Sequence, residues 1–237
     1  MNTLPVYVPV VFGLTVLLTF FLLLNVLRQR VSQPRLLTVA GLLMLWWLLV
    51  SSLALSGFFQ VANTRPPRLF FLIGPPLLLL VGLFSRKRSR ALFQTLPLQR
   101  LTLIHLVRIP VELVLLWLFF GKLVPVEMTF EGRNFDILAG LSAPLVAWLG
   151  FTGGRVNYRL LLVWNLLCVG LLLNIVGTAV LSAPLPFQRF GFDQPNVGIG
   201  LFPFVLLPSF IVPVVLWSHL VSIRQLLVIP RVGLTTT

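Results

Sequence analysis

The chain has 237 residues, 58% hydrophobic and 10% charged, with a mean hydropathy of +1.02 and a formal net charge of +13. So little polar surface excludes a water-soluble globular domain. The composition predicts an all-α, polytopic membrane protein, a single transmembrane helical domain over residues 1–237.

Seven apolar runs reach or approach the roughly 20 residues that a helix needs to cross a bilayer. They cover residues 4–27, 36–59, 69–84, 101–120, 137–151, 160–181 and 201–223. The flank of the first, MNTLP, has no basic residue, and its apolar run is too long for a cleavable signal. An uncleaved anchor with its N-terminus outside is expected. The second run carries a polar stripe, Ser52, Ser56 and Gln60, at i, i+4 and i+8. The third is short and contains Pro75-Pro76, which predicts a broken, tilted or re-entrant helix. The stretch SRKRSRALFQTLPLQR follows, an inner loop basic enough to lie on an anionic leaflet. The fifth run is short as well. The seventh is punctuated by Pro203, Pro208 and Pro213, each of which frees a carbonyl for a ligand.

Loop charges give the orientation. With the N-terminus outside, the inner segments hold twelve basic residues and no acid, among them Arg155 and Arg231, and the outer segments hold five basic residues and four acids. This bias supports seven spans, N-terminus out and C-terminus in. It also makes the basic surplus an orientation signal and excludes a nucleic-acid patch. A bacterial inner (plasma) membrane is the expected location.

The fourth run contains IHLVRIPVE, residues 104–112. On a helix, His105, Arg108 and Glu112 fall at i, i+3 and i+7, within an arc of roughly 60°. Charges at the bilayer centre cost at least a few kcal/mol, so this face must look into the bundle. Arg108 and Glu112, four apart, are expected to pair, and Pro110 is expected to kink the helix between them. At 1.5 Å per residue, His105 and His219 lie roughly 8 Å and Asn165 roughly 9 Å from the inner boundary, one common layer. Arg108, Glu112 and Asn174 lie deeper, at roughly 12, 18 and 22 Å. With the stripe on the second run they would form a polar column across the membrane.

Two outer loops, residues 124–136 and 184–196, mix aromatic and charged residues. Glu127, Glu131, Arg133, Asp136, Arg189 and Asp193 are expected to form an ordered cap or a partner surface, with Arg133 or Arg189 paired to Asp193 or Glu131. A cation site built from the four acids matches no loop motif.

The leading functional reading is binding or conduction of a small polar solute or ion past His105, Arg108, Glu112, Asn165, Asn174 and His219, since ionisable groups inside a membrane mark pathways. The alternative is a structural or accessory subunit, with the same residues as interhelical glue and a protein partner or a second copy alongside. A further alternative is a b-type haem held by His105 and His219, the only histidines, with Arg108 on a propionate. No HExxH, GxSxG or carboxylate-pair motif points to an enzyme. The only lysines, Lys87 and Lys122, sit at span boundaries, which excludes a buried Schiff base. The lone Cys168 allows no internal disulfide and reads as an apolar filler.

Overall fold

A computed structural model describes residues 4–61, 64–152 and 156–232, with backbone alone over 229–232. Arg155 therefore lies outside the described residues, as does the Arg231 side chain. Among the described residues the regular structure is helical throughout. Five helical stretches are long and apolar enough to cross a membrane: Tyr7–Leu27, Gln33–Leu55, Leu98–Phe120, Tyr158–Leu181 and Leu207–Val228. A sixth results if a bent pair, Phe70–Ser85 with Lys87–Phe93, is taken as one span. Ile137–Leu149 adds a shorter apolar helix of 13 residues where the fifth run was read.

Helix α1 (Tyr7–Leu27) is apolar on every side, but it buries one stripe, Val8, Phe12, Val16, Leu23 and Val26. The i, i+4 spacing of that stripe sets its face toward the bundle. Thr15 and Thr19 on the same side donate their hydroxyls back to the carbonyls of Val11 and Thr15, so no polar group is left open. Helix α2 (Gln33–Leu55) lies at the edge and buries only Val50 and Ala54. It ends where Gly57 takes φ +76°, a left-handed conformation that glycine adopts without strain. Ser52, Ser56 and Gln60 are exposed on this peripheral helix and the turn after it, so they do not continue the buried polar face.

Helix α3 (Phe70–Ser85) runs through Pro75-Pro76 without a break. The prolines stand in its second turn, where only the carbonyls of Phe71 and Leu72 lose a donor. The break comes later, at Arg86, which is extended, and α4 (Lys87–Phe93) leaves at 89° to α3. Phe84 on α3, Phe93 on α4 and Trp217 form a chain of ring contacts that holds the corner. Buried Gln225 donates to the carbonyls of Phe93 and Leu96 just beyond it.

The fourth run is two helices in one span, α5 (Leu98–Ile104) and α6 (Arg108–Phe120), joined by a 3-10 turn at His105–Val107. Pro110 sits in the first turn of α6, where a missing N–H costs little. The irregularity therefore falls before the proline, at His105, and not between Arg108 and Glu112. After α6, Lys122 takes φ +59° and the N–H groups of Lys122 and Leu123 return to the carbonyls of Phe119 and Leu118. This left-handed stop directs the chain into the loop toward α7 (Ile137–Leu149).

Helices α8 (Tyr158–Leu181) and α9 (Val212–Val232) pack against one another. A π-helical turn at Leu207–Ile211 precedes α9. Pro213 has no N–H to offer the Ser209 carbonyl. The indole Nε1 of Trp46 on α2 fills that position at 3.0 Å, so this freed carbonyl anchors a helix and is not open to a ligand.

Candidate functional site

The buried charged and imidazole side chains among the described residues gather in one place, where α6, α8, α9 and the loop before α7 meet. His105, Arg108, Glu112, Asn134, Asp136, Asn165 and His219 are each no more than 5% exposed. The 3-10 turn sets His105, α6 sets Arg108 and Glu112, α8 sets Asn165, and α9 sets His219.

Arg108 is the hub. Its Nη1 stands 2.9 Å from Asp136 Oδ1, an ion pair with both side chains buried. Nη1 also reaches toward the Cys168 carbonyl at 3.5 Å, and Nη2 lies 3.2 Å from His219 Nε2. A guanidinium only donates, so His219 Nε2 accepts and Nδ1 carries the proton. That proton goes to Asn165 Oδ1 at 2.8 Å, and Asn165 Nδ2 donates in turn to the Leu161 carbonyl. The tautomer of His219 is thus set from both ends.

His105 lies against His219 with ring centroids 3.8 Å apart and planes 19° from parallel. Its Nε2 is 3.0 Å from the Ser218 hydroxyl. Trp164 on α8 packs its indole against both imidazoles and donates to Ser142 on α7. Two side-chain nitrogens here have no hydrogen-bond partner, His105 Nδ1 and Arg108 Nε.

Glu112 is not paired with Arg108 by a short contact, contrary to the i, i+4 expectation. Both of its oxygens accept from one nitrogen, Asn134 Nδ2, at 2.7 and 2.6 Å. The same nitrogen also donates to the Met128 carbonyl. The physical reason is the loop. The Asn134 side chain accepts from the Asp136 N–H, a local turn that points Asp136 inward at Arg108. An arginine placed before its glutamate is also the weaker order for a helical pair.

Asp136, expected in the outer cap, belongs instead to the buried network. Burial pushes its carboxyl above the ordinary carboxylate value, and the Arg108 guanidinium pulls it back. Gly140, one turn along α7 and on the same face, makes this reach feasible. A Cβ at Gly140 would stand 2.9 Å from Ile109 Cγ1, 3.1 Å from Ile109 N and 3.2 Å from Arg108 Cβ. Only a residue without a side chain lets α7 come this close.

Asn174 does not join the network either. It is exposed and donates to the Arg133 carbonyl, which ties α8 to the outer loop. Glu131, Arg133, Arg189 and Asp193 are exposed and Glu127 is half-buried. The expected pairing of Arg133 or Arg189 with an acid is replaced by Arg133 stacked over the Phe190 ring at 5.0 Å. The four acids do not form a cation site, because Asp136 is drawn away to Arg108. Among the described residues no three His, Cys, Asp or Glu side chains gather in a way that would hold a metal ion.

A haem does not fit between the histidines. Two axial imidazoles must each aim a nitrogen at one iron from opposite sides of a flat macrocycle. Here the rings touch face to face, and His219 has both nitrogens engaged.

Sequence reasoning missed Asn134, Ser218, Trp164 and the inward role of Asp136. The available signal was the NFD turn placed directly before an apolar helix, which marks a structured helix entry.

Beside the network lies a partly open pocket of about 160 Å³. Its walls come from α3 (Ile73, Leu77), α6 (Leu115), α8 (Leu172, Val176) and α9 (Leu216), and they are almost wholly apolar. Glu112 and Asp136 are its only acidic lining residues.

Residues 66–227, more than half of the chain, match a family model described as a domain of unknown function, DUF8737. Every residue of the buried network falls within that stretch. No curated protein and no solved structure matches.

Proposed function

The chain belongs to the DUF8737 family, and we propose that its members are multi-pass membrane proteins that bind a small solute inside the helix bundle. The observation that carries this reading is the cavity beside Glu112 and Asp136. A concave, mostly apolar site with a few convergent polar groups is the usual form of a small-molecule site. We place the protein in a bacterial inner membrane, N-terminus out and C-terminus in, with α3 and α7 as the short members of seven spans. The loop charges support that orientation.

Of the two halves of the solute reading, binding is better supported than conduction. The polar residues are buried and bonded mainly to one another, and the pocket beside them is lined almost wholly by hydrocarbon. A second reading, a structural or accessory subunit, is favoured by how completely His219, Asn165 and Asn134 are satisfied from within. It implies a co-purifying partner or a homo-oligomer.

The test is xenon or toluene binding to the detergent-purified protein, read by NMR. A saturable bound signal, lost when Val176→Phe fills the cavity, is the expected outcome. A protein that folds normally and gives no such signal refutes the binding reading and leaves the subunit reading standing. A reporter active only outside the cytoplasm when fused after Thr237 would overturn the orientation.

A further inference from the structure

We propose that the cavity is an exchange site for a small organic cation, a primary amine with a hydrocarbon body near the size of a benzene ring, whose ammonium group takes the place of a proton at Glu112. This rests on the ligand-binding reading above and names its ligand class.

The first argument is charge balance. Among the described residues the buried charged side chains, apart from the two histidines, are Arg108, Glu112 and Asp136. One guanidinium against two carboxylates leaves one negative charge. Buried side chains do not tolerate an uncompensated charge. A proton or a second cation must complete it.

The groups that face Glu112 show where that charge belongs. On α6 itself Arg108 is committed to Asp136 and His219. The loop before α7 brings Asp136 and Asn134. Helix α8 brings Cys168, a neutral thiol, near Arg108. Helix α9 brings His219, already accepting from Arg108, with His105 stacked behind it. The α3 and α9 walls of the cavity, Ile73, Leu77 and Leu216, carry no charge. None of these groups supplies the missing positive charge.

The second argument is unused acceptor capacity. A carboxylate has about four lone-pair sites. Glu112 receives from a single nitrogen, Asn134 Nδ2, whose hydrogens are also claimed by the Met128 carbonyl. Asp136 Oδ1, itself buried, has the Arg108 ion pair but no hydrogen bond of good geometry. An ammonium group carries three donors on one centre, enough to serve both carboxylates.

The third argument is size and polarity. An engineered protein cavity of about 150 Å³ lined by aliphatic and aromatic residues takes up benzene. The present pocket is partly open, but its volume of about 160 Å³, apolar walls and two acidic lining residues give room for a ring of that size with one cationic substituent. A bare inorganic cation would leave the apolar walls unmatched. A neutral hydrocarbon would leave the charge unmatched.

The exchange balances simply. As the ammonium ion enters, the Glu112 carboxyl O–H bond breaks and its proton passes to bulk water or buffer; no other covalent bond changes. The buried site stays neutral in both states.

The experiment uses the full-length protein in detergent, with benzylammonium chloride and toluene as probes. Calorimetry in two buffers of different ionisation enthalpy counts the protons released. The expected result is release of close to one proton per benzylammonium bound, none for toluene, and an affinity for benzylammonium that rises about tenfold per pH unit while the carboxyl is protonated. Glu112→Gln should retain toluene binding and bind benzylammonium no better than toluene. The wild-type proton count needs no variant, so the proposal stays testable if Glu112→Gln fails to fold. Equal binding of both probes with no proton release overturns the cation inference and leaves the cavity as a binding site. Binding of neither probe overturns both readings.

Discussion

The ion pair between Arg108 and Asp136 makes a quantitative claim about which acid the arginine depends on. Their charged atoms are 2.9 Å apart and both side chains are buried. At a charge separation of about 4 Å and an effective dielectric of about 20, the attraction is about 4 kcal/mol before desolvation. Desolvation cancels much of this, so the intact pair adds little net stability, but removing one partner strands the other at a cost of about 3–5 kcal/mol. Arg108→Met and Asp136→Asn should therefore each lose stability on that scale, with Arg108→Met the worse because both Asp136 and His219 Nε2 lose their donor. The double variant should lose clearly less than the sum, with a coupling of about 2–3 kcal/mol. The same cycle run on Arg108 and Glu112 should show the smaller coupling, despite their i, i+4 spacing. Reversible unfolding in mixed micelles, followed by the fluorescence of the six tryptophans, gives all the values. If the Arg108 and Asp136 variants add within about 0.5 kcal/mol, the pair is not coupled and the network argument fails.

Two further outcomes follow from the packing. Gly140→Ala puts a methyl group against Ile109 and the base of Arg108, so it should destabilise by about 1–3 kcal/mol as an overpacked contact. It should also weaken the Arg108–Asp136 coupling measured in its background, whereas Gly13→Ala, which meets nothing within 4 Å, should be close to neutral. Trp46→Phe removes the donor that serves the Ser209 carbonyl. The same unfolding assay should report a loss of about 1–3 kcal/mol for a buried acceptor left open, and an unchanged stability would show that water or lipid-side relaxation replaces the indole.

The long spans were legible because run length and apolarity alone decide what can cross a bilayer. The shared depth of His105, Asn165 and His219 was legible by counting rise per residue from the flanking arginines. Their contact was not, since nothing local says which helices face each other. The prolines misled twice: Pro75-Pro76 sit early in a helix where little is lost, and Pro110 sits in a first turn. The true corner at Arg86 is held by Phe84 and Phe93 together with Trp217, which lies far from both in sequence. The choice of Asp136 over Glu112 as the partner of Arg108 depends on a loop folding inward and on the missing side chain at Gly140. Both are long-range conditions that a helical periodicity does not carry.

The shortness of α7 has a consequence for the lipid around it. Thirteen residues at 1.5 Å each make a rod of about 20 Å, against a hydrocarbon layer of about 30 Å. Its outer side shows Leu138, Leu141, Leu145 and Trp148 to the surroundings. On the proposed seven-span topology, a bilayer beside this helix must thin to meet it, at a fraction of a kcal/mol per ångström of mismatch. The Gly140 contact locks α7 against Arg108, so the helix cannot slide freely to relieve that tension. On that topology, membrane thickness becomes a mechanical variable acting on the carboxylate at the head of α7, and through it on Arg108, the only buried arginine among the described residues.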